Sequence, residues 1–152
     1  HPPLPAALVG ANAFLFAGPA PAADKVCKLE ISGNDLMQFD KKEMKAGADC
    51  TSVEVTLKHS GKLPAASMGH NWVLVKTADV NAVSNDGLGA GLAANYVKAG
   101  DKRVIAHTKV VGGGQSDSVT IPASALKKGE DYTFICTFPG HSALMKGKST
   151  FG

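Results

Sequence analysis

The strongest constraint on this chain is the stretch Cys136-Thr-Phe-Pro-Gly-His141-Ser-Ala-Leu-Met145, where a thiol, an imidazole and a thioether share one loop. All three can bind a metal, and the thioether narrows the choice. Zinc takes Cys and His readily but seldom Met, whereas copper accepts a soft sulfur ligand at long range. Pro139 and Gly140 let the chain turn back between Cys136 and His141, so both can face one point. A trigonal His2Cys set needs a second histidine, and Met68-Gly-His70-Asn-Trp72 offers it from far upstream. Ligands split this way can meet only if the fold brings two loops together.

The rest of the chain reads as the scaffold for that meeting. Cys27-Lys-Leu29-Glu-Ile31 and Val53-Glu-Val55-Thr-Leu57 alternate apolar and polar residues, the period of half-buried strands. Trp72-Val-Leu-Val75 is apolar without interruption, as expected of a strand covered on both faces or lying near a sheet centre, with Trp72 in the core. Val104 to Val111, Ser118 to Ile121 and Tyr132 to Cys136 supply further strands. Turn clusters at Ser60-Gly61, Gly112-Gly-Gly114 and Lys128-Gly-Glu-Asp131 separate them. Short strands punctuated like this predict an all-β, Greek-key β-sandwich. Thr77 to Tyr96, rich in Ala, Asn and Gly, predicts a short helix and loops outside the sandwich. No internal repeat is visible.

At 152 residues the chain has the length of one domain. A hydrophobic content of 44% with 19% charged residues fits a globular protein rather than a disordered one. The net charge of +3 is mild. Lys41, Lys42, Lys45, Lys127 and Lys128 read as solvated turn positions, with no aromatic-interleaved basic stripe, which argues against nucleic acid as a partner. Residues 1–23 differ from the remainder: an apolar run from Ala6 to Ala17, then Gly18-Pro-Ala-Pro-Ala-Ala23, with no charged side chain before Asp24. They read as the remnant of a secretory signal, its Ala20-Pro-Ala22 a cleavage candidate and its basic start and initiating Met absent, or else as a disordered Ala/Pro segment. The run is too short for a membrane span, which needs about 20 apolar residues. Residues 24–152 then form the functional domain.

A trigonal His2Cys site with a long axial Met is the pattern of blue-copper electron-transfer centres. The residues resemble the azurin family of cupredoxins closely: Cys27, Gly33-Asn-Asp-Leu-Met37-Gln-Phe, Cys50, Met68-Gly-His70-Asn-Trp72, His107, and the Cys136 to Met145 loop with the Lys-Gly that follows. The likeness runs from about Asp24 onward. It implies a cupredoxin-like sandwich with one helical flap, a single copper ion per chain, and His70, Cys136 and His141 as strong ligands. Met145 and the Gly69 backbone carbonyl become weak axial ligands, and Asn71 the residue that ties the two ligand loops together. It also pairs Cys27 with Cys50 as a disulfide, consistent with an oxidising compartment, and leaves Cys136 as the free thiol whose persistence metal ligation explains. Met37, Met68 and Leu88 match residues that form or border an apolar patch around the His141 edge. His59 matches a non-ligating histidine near the site and His107 a surface residue, while His1 falls in the signal-like segment. The function implied is a periplasmic electron carrier, monomeric, serving redox proteins such as c-type cytochromes or periplasmic reductases. Chains of this kind close with a strand of alternating apolar residues, yet Gly147-Lys-Ser-Thr-Phe-Gly152 offers only Phe151, so either the last strand is weak or the chain end is atypical, and its pairing is in question.

Other chemistries fit less well. Cys136 with a histidine could form a nucleophile pair, but this leaves His70 and Met145 without a role and supplies no orienting third group. A multicopper oxidase or nitrite reductase needs more copper sites and domains than this length holds. Copper storage favours clusters of exposed Met or Cys, which the four Met do not form.

Overall fold

The computed structural model describes residues 2–3 and 24–152. The signal-like or Ala/Pro reading of 1–23 therefore lies, apart from Pro2 and Pro3, outside the described residues, and His1 with it. Eight strands among the described residues form two sheets. One contains β1 (Val26–Gly33), β3 (Ser52–His59) and β6 (Ser116–Pro122), in the order β1-β3-β6. The other contains β2 (Glu43–Ala46), β4 (Val73–Lys76), β5 (Val104–His107), β7 (Tyr132–Ile135) and β8 (Lys146–Phe151), in the order β2-β8-β7-β4-β5. β1 runs parallel to β3 and β2 parallel to β8, while the other pairs are antiparallel.

The alternation read from the sequence decides which faces meet. Val53, Val55 and Leu57 of β3 point inward with Ile31, Ile121, Trp72, Leu74 and Phe134 to form the main core. The uninterrupted apolar run of β4 is covered twice. Leu74 enters the main core, while Val73 and Val75 face the other way and pack with Val83, Val97 and Ile135. Each such side chain stabilises the fold by about 1.5–3 kcal/mol when fully buried.

That second cluster holds down α2 (Val80–Ala90), the helix outside the sandwich. Its sequence carries Gly87 and Gly89, each costing about 1 kcal/mol against Ala in a helix, so its stability comes from packing of Val83 rather than propensity. It stops at Gly91, whose φ of +81° no β-carbon-bearing residue adopts comfortably. A single-turn helix, α1 (Ala65–Met68), precedes the first histidine of the site.

Cys27 and Cys50 form a disulfide that links β1 to the chain entering β3. Closing a loop with a separation of 23 residues stabilises the fold by about 3 kcal/mol in the chain-entropy picture.

Two strand expectations change. The Val104 to Val111 segment is a strand only to His107, then continues as a loop that rejoins the fold at a bridge between Val111 and His70. The last strand, expected to be weak, pairs on both sides: β8 lies antiparallel to β7 and parallel to β2, and Phe151 is buried. The reason lies in Gly147. A β-carbon there would come within 2.2 Å of the Phe134 ring and 2.5 Å of the Lys42 carbonyl. Phe134 of the neighbouring strand fills the core position that an apolar residue of β8 would otherwise occupy, so the strand needs no alternation of its own.

Candidate metal centre

Three structural units converge at one end of the sandwich. The first is the turn after β1. Asn34 Oδ1 accepts the backbone N–H groups of Leu36 (2.9 Å) and Gln38 (3.1 Å), folding the chain on itself with Met37 at φ +58°. The turn presents the Asn34 carbonyl to His70, whose Nε2–H donates to it at 2.7 Å. With Nε2 occupied as a donor, Nδ1 of the neutral ring keeps its lone pair for a metal.

The second unit is the His70 segment. Its backbone is fixed by paired bonds with Val111, His70 N–H to Val111 O at 3.0 Å and the reverse at 2.8 Å. Gly69 has no room for a side chain, since a β-carbon would lie 2.5 Å from the Ala65 carbonyl and from Val110. Gly33 is equally confined: a β-carbon there would meet the His70 ring at 2.6 Å and the Met145 methyl at 3.2 Å. The same glycine thus locates Met145, fully buried, beside the His70 ring.

The third unit is the loop after β7. Cys136 N–H donates to Met145 O (3.0 Å), His141 N–H to Phe138 O (2.9 Å) and Met145 N–H to His141 O (2.8 Å). Gly140 supplies the left-handed residue (φ +79°) that closes this coil. The result places Cys136 Sγ 3.6 Å from His141 Nδ1 and 4.0 Å from His70 Nδ1, all three groups buried. With metal–nitrogen and metal–sulfur bonds of about 2.0 and 2.3 Å, donors in a trigonal plane lie ~3.5–3.7 Å apart. The Cys136–His141 spacing matches this and the Cys136–His70 spacing is a few tenths of an ångström wider, and a soft thiolate with two neutral imidazoles suits one copper ion.

Burial also sets the protonation of the metal-free site. It pushes the Cys136 thiol up to about 12, against the backbone N–H groups of Asn71 and Phe138, which favour the thiolate. It pushes His141 down to about 4, helped by neighbouring His70 and opposed by the Gly69 backbone. Burial lowers His70 too, with the Asn34 and Gly69 backbones opposing. Both imidazoles are therefore neutral near pH 7, the form in which nitrogen ligates, and both feel the Gly69 carbonyl.

Asn71 joins the two ligand loops. Its Oδ1 accepts Thr137 N–H at 2.8 Å and its Nδ2 donates to Thr137 Oγ1 at 2.7 Å. His59 stacks on His70 with ring centroids 4.5 Å apart. Its Nε2–H donates to Met68 O and its Nδ1 accepts Gly61 N–H, so no nitrogen is free for a metal. His107 is exposed on β5. Met37 packs against Cys136, Phe138 and Met145, Met68 ends α1, and Leu88 projects from α2 about half exposed. Two exposed leucines that share a surface recess, Leu144 within the loop and Leu36 in the turn after β1, were not singled out by the sequence. Asn34, Thr137 and Asn95 were missed as well. The repeated turn-forming Asn residues are a signal for tight loops, but not for where their carbonyls point.

A two-sheet sandwich that buries two imidazoles, a thiol and a thioether at one end is the structure of a cupredoxin. The chain belongs to the copper-binding proteins of the plastocyanin/azurin family, whose family model matches residues 25–152. It is 56% identical to the azurin of Bordetella pertussis over 140 residues, covering 92% of this chain and 93% of that protein. It is 60% identical over 121 residues to azurin-1 of Alcaligenes xylosoxydans xylosoxydans, covering 80% of this chain and 94% of that one. Its fold superposes on the azurin Az-iso2 of the methylotroph Methylomonas sp. strain J with a TM-score of 0.80 and 41% identity, covering 83% and 98% of the two chains. The protein is a blue-copper electron-transfer protein that binds one copper ion per chain.

Proposed function

We propose that residues 24–152 form a single copper-binding unit in which His70, Cys136 and His141 are the strong ligands, with Met145 and the Gly69 carbonyl as weak axial ones. The observation that carries this reading is the convergence of Cys136 Sγ with the two imidazole Nδ1 atoms, each histidine in the neutral form. Copper supplies a one-electron Cu(I)/Cu(II) couple. The protein's part is to hold the donors still: Asn34 orients the His70 ring, Asn71 locks the cysteine loop, and Gly33 and Gly69 let backbone approach where a side chain would block it. Cys136 must give up its proton when it ligates, and the N–H groups of Asn71 and Phe138 stabilise the resulting thiolate.

The chain acts in this reading as a carrier and not as an enzyme, exchanging single electrons with redox proteins such as c-type cytochromes or periplasmic reductases. The disulfide supports an exported, periplasmic location, and no helix among the described residues is long and apolar enough to cross a membrane. The reading includes a monomeric protein with Met37, Met68 and Leu88 around its port of exchange. The test is a visible spectrum of copper-loaded protein. Wild type is expected to show an intense thiolate-to-copper band toward the red, and Cys136→Ser to lack it. A band that survives in the variant rules out Cys136 as the coloured ligand.

A further inference from the structure

The Asn71–Thr137 lock is itself held from outside the site. Asn95 and Tyr96 follow α2 and a short 3-10 turn, and both adopt left-handed backbone, at φ +56° and +52°. Consecutive residues in this conformation are uncommon, and Asn is among the few side chains that tolerate it. The consequence is that both carbonyls face the lock: Asn71 Nδ2 donates to Asn95 O at 2.9 Å, and Thr137 Oγ1 donates to Tyr96 O at 2.8 Å. The Asn95 side chain reaches elsewhere, its Oδ1 accepting Val110 N–H at 3.0 Å. Val110 directly precedes Val111, the residue that brackets the His70 backbone. Asn95 therefore touches both structural arms, one leading through Asn71 and Thr137 to Cys136, the other through Val110 and Val111 to His70. The turn is seated on α2 by Gly87, where a β-carbon would lie 2.2 Å from the Tyr96 carbonyl.

We propose that Asn95 is a positioning residue for the copper centre, its left-handed backbone and its side-chain amide joining the α2 flap to both loops that carry the ligands. The assignment rests on the ligand set proposed above. A turn that merely closed the flap would need neither the paired carbonyls nor the Val110 bond. Removing the Asn95 side chain should loosen the separation between Cys136 and His70 while leaving every ligand in place.

The test uses the full chain with Asn95→Ala, Asn95→Gly and Asn95→Asp. Copper affinity, the thiolate-to-copper band, and amide exchange of Val110 and Thr137 in the metal-free protein are compared with wild type. Asn95→Ala loses both the side-chain acceptor and the tolerance for positive φ. It should bind copper about tenfold more weakly, a typical loss when an outer hydrogen-bond partner is removed, with a shifted band and faster exchange at both amides. Asn95→Gly keeps the backbone and should speed exchange at Val110 more than at Thr137, and Asn95→Asp should restore the wild-type band. If Asn95→Ala does not fold, Asn95→Gly is read by the same measurements. Wild-type affinity, band and exchange in the Ala and Gly variants, even with a lowered melting temperature, would overturn the proposal. A wild-type protein that binds copper without colour would instead overturn the ligand set, and the exchange data on the metal-free chain would still decide the role of Asn95.

Discussion

Cys136 and His141 are held, without metal, in the states least costly to bury, a neutral thiol and a neutral imidazole, and this has a measurable consequence. The His141 value falls from 6.5 to about 4 on folding, so below pH 6.5 the unfolded chain takes up a proton that the folded one refuses. The contribution of His141 to the stability of the metal-free protein is complete above pH 6.5 and is lost as pH falls toward 4, by up to about 3 kcal/mol. Urea midpoints at pH 7 and pH 4.5 should show this drop, and His141→Gln should reduce it while leaving the part owed to His70, whose imidazole burial also lowers; an equal drop in the variant would locate the titration elsewhere. Cys136 works in the opposite direction, raised from 9 to about 12, so its contribution is complete below pH 9 and fades only as pH rises toward 12. Met145 belongs to the same scale. Its side chain is fully buried beside Gly33, and the proposed strong donors lie elsewhere, so Met145→Leu should keep copper and colour. Its reduction potential should rise as the thioether donor is lost, and an unchanged potential would argue against axial contact. The ligand loop was legible because covalent spacing confines Cys136, His141 and Met145 to one small volume. Asn34, Asn95 and Tyr96 were not, because they act through backbone carbonyls whose directions only the finished fold defines.

Among the elements, β1 and the chain entering β3 carry the disulfide at one end, and the two strands approach the metal centre at the other, through Gly33 and His59. The bridge and the copper chemistry are therefore separable. Replacing both Cys27 and Cys50 by Ala should lower unfolding free energy by about 3 kcal/mol and leave the visible spectrum unchanged. Equilibrium denaturation and absorption on one sample settle it: a folded double variant with a lost band would tie the bridge to the site. The strands with period-2 patterns, β1 and β3, were plain in the sequence, as was the doubly covered β4. β2 was not, since Glu43-Met-Lys-Ala46 buries only Met44 and is too short for a pattern. β8 misled for a different reason. Its core position is filled by Phe134 of the neighbouring strand across Gly147, and a strand that lends its place in the core to a neighbour carries no alternation to read.

For the molecule as a whole, electron exchange requires two proteins to bring their buried centres close for a short time. His141 is only 1% exposed, so a partner must reach its edge across the surrounding surface, and an uncharged surface avoids the cost of desolvating ions. The proposed port includes Met68 and Leu88, and Leu88 is 54% exposed on α2. Two copies meeting face to face provide the test, because any charge added to one patch opposes the same charge on the other. With Leu88→Lys, two ammonium groups ~10 Å apart at an effective dielectric of about 20 repel by about 1.7 kcal/mol, slowing electron self-exchange roughly tenfold or somewhat more. The visible spectrum should not move, since no ligand is touched, and added salt should restore part of the rate as screening shortens the reach of the charge. Met68→Lys should behave alike if the patch is continuous. Self-exchange rates that ignore both substitutions at low ionic strength would place the port on another surface, with Leu144 in the cysteine loop and Leu36 across a shared recess from it the next residues to change.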